Sequence, residues 1–207
     1  MLGKEVVIIG YSGHGFVVAD AAINGGLNLM HYSEITQSRY NPFNLNYLGF
    51  EGDKKFIGWD KNFEFTLGIG DNNLRRKIGD LVIAKKQKLH IVIDKTASIS
   101  KTAIIGNGVF ISKNVSVNVL SVIGDYVILN TGCIIEHECK IGKASHIAPG
   151  AVLAGNVSIG ENTFIGANSV IRQGIKIGNN VIVGAGSVIV KDIDDNLKII
   201  GNPGRKL

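Results

Sequence analysis

Apolar side chains recur at every sixth position over the second half of the chain. Stepping by six from Ile93 gives Ile99, Ile105, Ile111, Val117, Ile123, Leu129, Ile135, Ile141, Ile147, Leu153, Ile159, Ile165, Ile171, Ile177, Val183 and Ile189, all Ile, Val or Leu without a break. An amphipathic helix needs a period of 3.6, which six does not satisfy. A fixed short period instead marks a solenoid, in which each unit buries its face only against its neighbours. Each hexad supplies a short strand whose anchor points inward, followed by a corner. Glycine often follows the anchor (Gly106, Gly124, Gly142, Gly160, Gly166, Gly178, Gly184), as expected of a residue that frees the corner backbone. Four residues past the anchor stands a small or β-branched residue, such as Ala97, Ser121, Cys133, Cys139, Ser145, Thr163 or Ser187, which also points in and stacks on its equivalents. Three hexads, one to a face, make one coil, so the run forms between five and six coils.

The first ninety residues follow another rule. Glu5 to Ile9 reads as a buried strand, Gly10-Tyr11-Ser12-Gly13-His14-Gly15 as a turn, and Phe16 to Asn24 as a helix stopped by Gly25-Gly26. Strands are expected over 27–32, 63–69 and 89–93, a helix over 72–86, and irregular chain over 33–60. Alternating β and α elements make a small parallel sheet. The chain thus divides into residues 1–92, a Rossmann-like α/β domain, and residues 93–207, a parallel β-helix. The join near Asp94-Lys95 is too short for a flexible linker.

Composition narrows the class. Hydrophobic residues are 45% of the chain and charged residues 19%, the balance of a folded chain rather than a disordered one. The net charge of +5 is spread along the chain, and its longest basic run is Arg75-Arg76-Lys77. A nucleic-acid groove asks for denser charge with aromatics, so no nucleic acid is expected. A mildly basic surface or a small polyanionic ligand fits. Cys133 and Cys139 have neither a CxxC nor metal spacing with histidine and read as buried thiols in a reducing compartment. The opening segment is too quickly polar for a signal peptide, and no apolar run reaches a membrane span. A cytoplasmic protein without membrane insertion is the expectation.

Two glycine-rich turns end strands: the first motif, and Gly68-Ile69-Gly70-Asp71-Asn72. Backbone N–H groups and a helix N-terminus can hold phosphate there, and in an open parallel sheet both turns lie at the ligand-binding edge. Tight connections would look the same. In the coil, His137 stands two residues past an anchor, at an outward corner, between Glu136 and Glu138. It is either a general base oriented by a neighbouring acid or a surface histidine among acids. Gly155, one coil on, leaves space directly above it. His146 is half a coil away and is not stacked on His137.

The hexads resemble the hexapeptide-repeat family. This resemblance implies a left-handed parallel β-helix, a homotrimer with active sites between neighbouring helices, and an acyl-CoA donor. Both glycine-rich turns, the stretch from Asn130-Thr131 to Glu136-His137-Glu138-Cys139, His146-Ile147-Ala148-Pro149-Gly150-Ala151 and Gly201-Asn202-Pro203 occur in order. Together they resemble bacterial acetyltransferases of UDP- or dTDP-linked 4-amino-4,6-dideoxy sugars, relatives of the sialic acid O-acetyltransferases. The implied reaction is acetyl transfer from acetyl-CoA to the sugar amine for surface glycans. O-acetylation of sialic acid is the alternative, and a non-catalytic trimeric scaffold is the alternative of another class.

The resemblance also implies residue roles. His137 and Glu138 are catalytic. Gly13, His14, Glu34, Gly70 and Asp71 bind the sugar nucleotide. His146, Gly155, Ala167, Ala185 and Arg205 bind acetyl-CoA, with Lys191 and Lys206 near its phosphates. Related sugar acetyltransferases carry paired acids after the second strand, where this chain has Ser33-Glu34, which leaves the nucleobase open. Related γ-type carbonic anhydrases need three converging histidines, and the coil has two, so no metal is expected.

Overall fold

A computed structural model of the chain describes residues 4–207. The first three residues, which open the segment weighed above as a signal peptide, lie outside it. The N-terminal part is a four-stranded, all-parallel sheet: β1 (Val6–Ile9), β2 (Leu29–Ser33), β3 (Asn46–Tyr47) and β4 (Glu64–Leu67), in the order β3-β2-β1-β4. Helix α1 (Gly13–Asn24) follows β1 and α2 (Asn72–Ala84) follows β4.

Three details differ from the sequence reading. Helix α1 begins inside the glycine-rich motif, with Ser12 at its N-cap position, because glycine adopts helical geometry when the following apolar face is buried. The stretch 33–60, expected to be irregular, contributes β3 and a 3₁₀ turn at Ile57–Trp59. The fourth strand expected over 89–93 is divided: Leu89 makes one bridge to Phe65, and Val92–Ile93 is already the first rung of the solenoid.

From Val92 the chain winds as a left-handed parallel β-helix of short strands on three faces. The first face runs from Val92–Ile93 through Phe110–Ile111, Ile128–Leu129, His146–Ile147 and Phe164–Ile165 to Ile182–Val183. The second runs from Ser98–Ile99 to Val188–Ile189 and the third from Ile104–Ile105 to Lys176–Ile177. Each rung pairs with the rung three hexads on, as in Ile135↔Leu153 and Ile141↔Ile159. The anchors from Ile111 onward form one continuous buried stack, with Ile99 and Ile105 packed against it partly buried, whereas Ile93, expected to point inward, is exposed on the uncovered first coil. The last coil is shorter: Ile177 pairs with Ile193 and Val183 with Ile199, each partner falling just short of the third hexad.

The corners correct the expectation for glycine. The left-handed backbone falls not after the anchor but three places past it, at every sixth position from Gly108 to Gly186. All of those positions are Gly or Asn except Leu120, Tyr126, Glu138 and Ala144, and Gly and Asn are the types that tolerate positive φ. Gly106, Gly124, Gly142, Gly160 and Gly178 instead stack in one column between the third and first faces. A Cβ on any of them would press on the backbone of the next coil, at 2.5 to 2.9 Å. Glycine is needed there for room. The inward small residues are buried, and their hydroxyls donate to the next coil: Ser121 Oγ to Glu136 O (2.9 Å), Ser145 Oγ to Gly160 O (2.7 Å) and Thr163 Oγ1 to Gly178 O (2.7 Å). Cys133 and Cys139 are likewise interior, on columns of neighbouring faces, as free thiols, and burial pushes Cys133 up to about 12.

The α/β part lies on the first face of the solenoid. Val92, Phe110 and Ile128 join Val18, Ala22 and Tyr32 in one apolar cluster, and Tyr126 and Ala144 join Ile78 and Val82 in another. Between them sits Arg75, 1% exposed. Its guanidinium donates to the carbonyls of Tyr126 (2.7 Å), Gly70 (2.8 Å) and Ala144 (2.7 Å) and to Asn72 Oδ1 (2.9 Å), and burial pulls its pKa down to about 9. The residue that opens the longest basic run is therefore an internal fastener, since guanidinium donors match a ring of orphan carbonyls.

Candidate active site

The glycine-rich turns meet at the carboxyl ends of β1 and β4. Positions 15 and 68 have no room for a Cβ, because each would run into Gly10 O. Gly13 faces open space instead. Beside these turns opens a cleft of about 360 Å³, lined by Gly10, Ser12, Glu34, Glu51, Gly70, Asp71 and Lys77 with an apolar wall of Ile35, Phe50, Ile69, Leu74 and Ile78. A second depression of about 300 Å³ shares Gly70 and Asp71 and continues to Phe164 and Ile182 on the first face.

Several expected contacts have structural partners. Glu34 accepts from the backbone N–H of Tyr11 (3.0 Å) and of Ile35 (3.1 Å), so it braces the first turn. Asp71 caps α2 by accepting from Leu74 N (2.8 Å), which satisfies one of the unpaired donors of the first helical turn. His14, in the first turn of α1, lies with its ring 6.3 Å from that of His146 and edge-on to Phe110. Its Nε2 is buried without a hydrogen-bond partner. Desolvation, with the Arg75 charge adding, lowers His14 to about 4 and His146 to about 3. His146 Nε2 lies 3.1 Å from Asn130 Nδ2, and the Gly70 backbone near its ring partly offsets that lowering. It therefore stands with His14 and the second glycine-rich turn, not beside His137.

His137 occupies the corner between the second and third faces. Its Nδ1 lies 3.0 Å from Glu138 Oε2, and both side chains reach solvent. Glu138 holds a left-handed backbone, φ 62°, where most corners place Gly or Asn. A Cβ at position 155 would run into Nε2 and Cε1 of His137. Gly155 thus makes room for the imidazole itself. Ala167 and Ala185 stack at a different corner, after the first face, where Gly186 N donates to Ala167 O (2.8 Å). Arg205 lies in the antiparallel strand Arg205–Lys206 closing the C-terminal end, beside a cavity of about 320 Å³ that Lys191 and Lys206 also line. Within one chain, the His137 corner, the alanine corner and the cleft are separate places.

Sequence reasoning missed Glu51, Arg75 and Asn130. Glu51 lies in a stretch without periodicity, and nothing short of the folded sheet edge brings it to the cleft. Among the described residues no three His, Cys, Asp or Glu side chains gather as a metal-ligand group, and no helix is long and apolar enough to cross a membrane.

The models of the PglD N-terminal domain, the bacterial transferase hexapeptide and the hexapeptide repeat of succinyl-transferase match residues 5–82, 121–155 and 156–191. The chain belongs to the hexapeptide-repeat sugar acetyltransferases that carry a PglD-type N-terminal domain. It is similar to the acetyltransferase domain of PglB from Neisseria gonorrhoeae, solved with acetyl coenzyme A: 34% identity over 99% of this chain and 100% of that chain, TM-score 0.92. It is similar to PerB from Caulobacter crescentus, solved with CoA and GDP-perosamine: 32% identity over 100% of this chain and 98% of that one, TM-score 0.91. WeeI from Acinetobacter baumannii, 24% identical over 99% of this chain and 100% of that one with TM-score 0.89, shares the fold. No curated protein gives a significant match.

Proposed function

We propose that this protein transfers the acetyl group of acetyl-CoA to the amine of a nucleotide-linked 4-amino-4,6-dideoxy sugar, with His137 as general base. The observation that carries this is the His137–Glu138 pair seated over Gly155 in a chain that matches PglB and PerB from end to end. Glu138 accepts from Nδ1–H and so presents Nε2 as the basic nitrogen, the arrangement in which an acid orients a histidine and steadies its charged form. The sugar amine attacks the thioester carbonyl. Nε2 takes the amine proton, the C–S bond breaks, and the proton passes to the departing CoA sulfur. General-base help of this kind contributes roughly 10²–10⁴-fold.

The acceptor's nucleotide enters the cleft at Gly10 and Gly70, with Gly13 on the open side of the first turn, and its sugar runs past Gly70 and Asp71 toward His14 and the first face. His137 of the same chain is on another side of the prism, so the site is completed by a second copy in a homotrimer. Ala167, Ala185 and Arg205 then line the path of acetyl-CoA, with His146 at the acceptor boundary. The deciding assay is thiol release from acetyl-CoA with a panel of GDP-, UDP- and dTDP-linked 4-amino sugars and sialic acid. Release with an amino sugar nucleotide is expected. Release with sialic acid alone would make the enzyme an O-acetyltransferase, and no release with any acceptor would overturn the assignment.

A further inference from the structure

We infer that the acceptor's nucleobase is guanine and that Glu51 selects it; this rests on the cleft being the nucleotide site. Glu51 is 7% exposed and lines the cleft. Its Oε2 accepts from Ser33 Oγ at 2.6 Å, and its backbone is held on both sides: Glu51 N donates to Ser33 Oγ (3.0 Å) and Trp59 Nε1 donates to Glu51 O (3.2 Å). Its Oε1 takes part in no hydrogen bond among the described residues. That oxygen is not among the buried polar atoms left without a partner, so it is open to the cleft, where a ligand's donor can reach it. The position also completes a pattern. Ser33 stands at the end of β2, where an acid commonly meets the nucleoside, and the Ser33 hydroxyl draws the Glu51 carboxylate to that place. Glu34 is committed to Tyr11 N and Ile35 N, and the exposed Asp71 caps α2, which leaves Glu51 as the buried acid of the cleft with an oxygen to offer a ligand.

The chemistry of the edge decides the base. A carboxylate is an acceptor only. Guanine offers N1–H and N2–H side by side, a two-donor edge that one carboxylate spans. Uracil and thymine offer a single N3–H between two carbonyl oxygens, which would face the carboxylate with like charge. Adenine offers one amino group beside an acceptor nitrogen. Ile35, Phe50, Ile69 and Leu74 supply an apolar slot for a flat ring around this acid.

Titration calorimetry of the full chain with GDP, IDP, UDP and dTDP tests the assignment, IDP being the base without the N2 amine. GDP is expected to bind about tenfold tighter than IDP, since one bond to a charged group is lost, and more tightly still than UDP or dTDP. Glu51→Gln, which can keep the Ser33 bond, should bring GDP down to the affinity of IDP. UDP or dTDP binding as tightly as GDP, or equal binding of GDP and IDP by the unaltered chain, would overturn the guanine assignment and leave the cleft as the nucleotide site. GDP and UDP binding equally and weakening together in Glu51→Gln would place ribose on Glu51 and overturn it as well. Failure of all four to bind would remove the nucleotide site itself.

Discussion

His137, Glu138 and Gly155 form one unit, and each can be tested alone. His137→Ala should lower kcat by roughly 10²–10⁴-fold with acetyl-CoA affinity intact, because only transition-state stabilisation is lost. Gly155→Ala should imitate it, since the added methyl displaces the ring; steady-state kinetics beside an unchanged far-UV spectrum would show this. Glu138→Asn separates stability from activity. Asn tolerates the left-handed backbone that Glu138 holds, so the midpoint of urea unfolding should rise by an amount worth about 1 kcal/mol. The rate should fall as Nδ1 loses its carboxylate. A further test concerns pH. His14 and His146 titrate near 4 and 3 in the folded chain, below the ordinary 6.5. Above that ordinary value both states are neutral and nothing changes. As pH falls from 6.5 toward 4, the unfolded chain binds protons that the fold refuses. Stability then drops by at most about 1.4 kcal/mol per pH unit for each histidine. A His14→Asn, His146→Gln chain should show a shallower loss over that window.

Helix α2 is joined to the solenoid by one buried side chain more than by its surface ion pairs. Lys143–Asp80 (2.7 Å) and Arg76–Glu161 (2.8 Å) bridge the two parts but are largely solvated, and such pairs contribute about 0–1 kcal/mol. Arg75→Met strands the carbonyls of Tyr126, Ala144 and Gly70 in a dry junction. It should cost about 3 kcal/mol or more, because those acceptors lose their donor without regaining water. Denaturant unfolding followed at Trp59 would report it. The helix itself was expected over 72–86, whereas the cap that Asp71 gives it emerged only in the fold. The role of Arg75 was not, because within a basic run it has the same local sequence as a solvated arginine. Periodicity likewise located the solenoid strands as far as Val188–Ile189, yet it missed Lys198–Ile200 in the shortened last coil and misassigned the corner glycines. A glycine required for φ and a glycine required for room look alike until the next coil is in place.

The assembled prism carries an apolar ladder on its second face, where Ile134, Val152, Val170 and Val188 pair in succession and Val170 is 41% exposed. A homotrimer packed on a side of this kind should scatter light as about three times the mass of one chain. Val170→Lys should yield smaller species with little activity, since His137 would then face no acceptor cleft. A fully active monomer would show that one chain suffices.

Hexad spacing alone determined the solenoid, its three-hexad coil and its interior, because each rung is stabilised by neighbours a fixed distance away in sequence. The α/β alternation did the same for the sheet, and the ordered motifs pointed to the family and to His137. Contacts between the two parts were decided only in three dimensions. His14 and His146 stand in different halves of the chain, and their rings meet because α1 lies on the first face. Glu51 reaches the cleft because Ser33 and Trp59 hold an aperiodic segment against the sheet edge. No local pattern encodes such encounters, since the apolar burial that produces them is non-directional and the partners are distant in sequence.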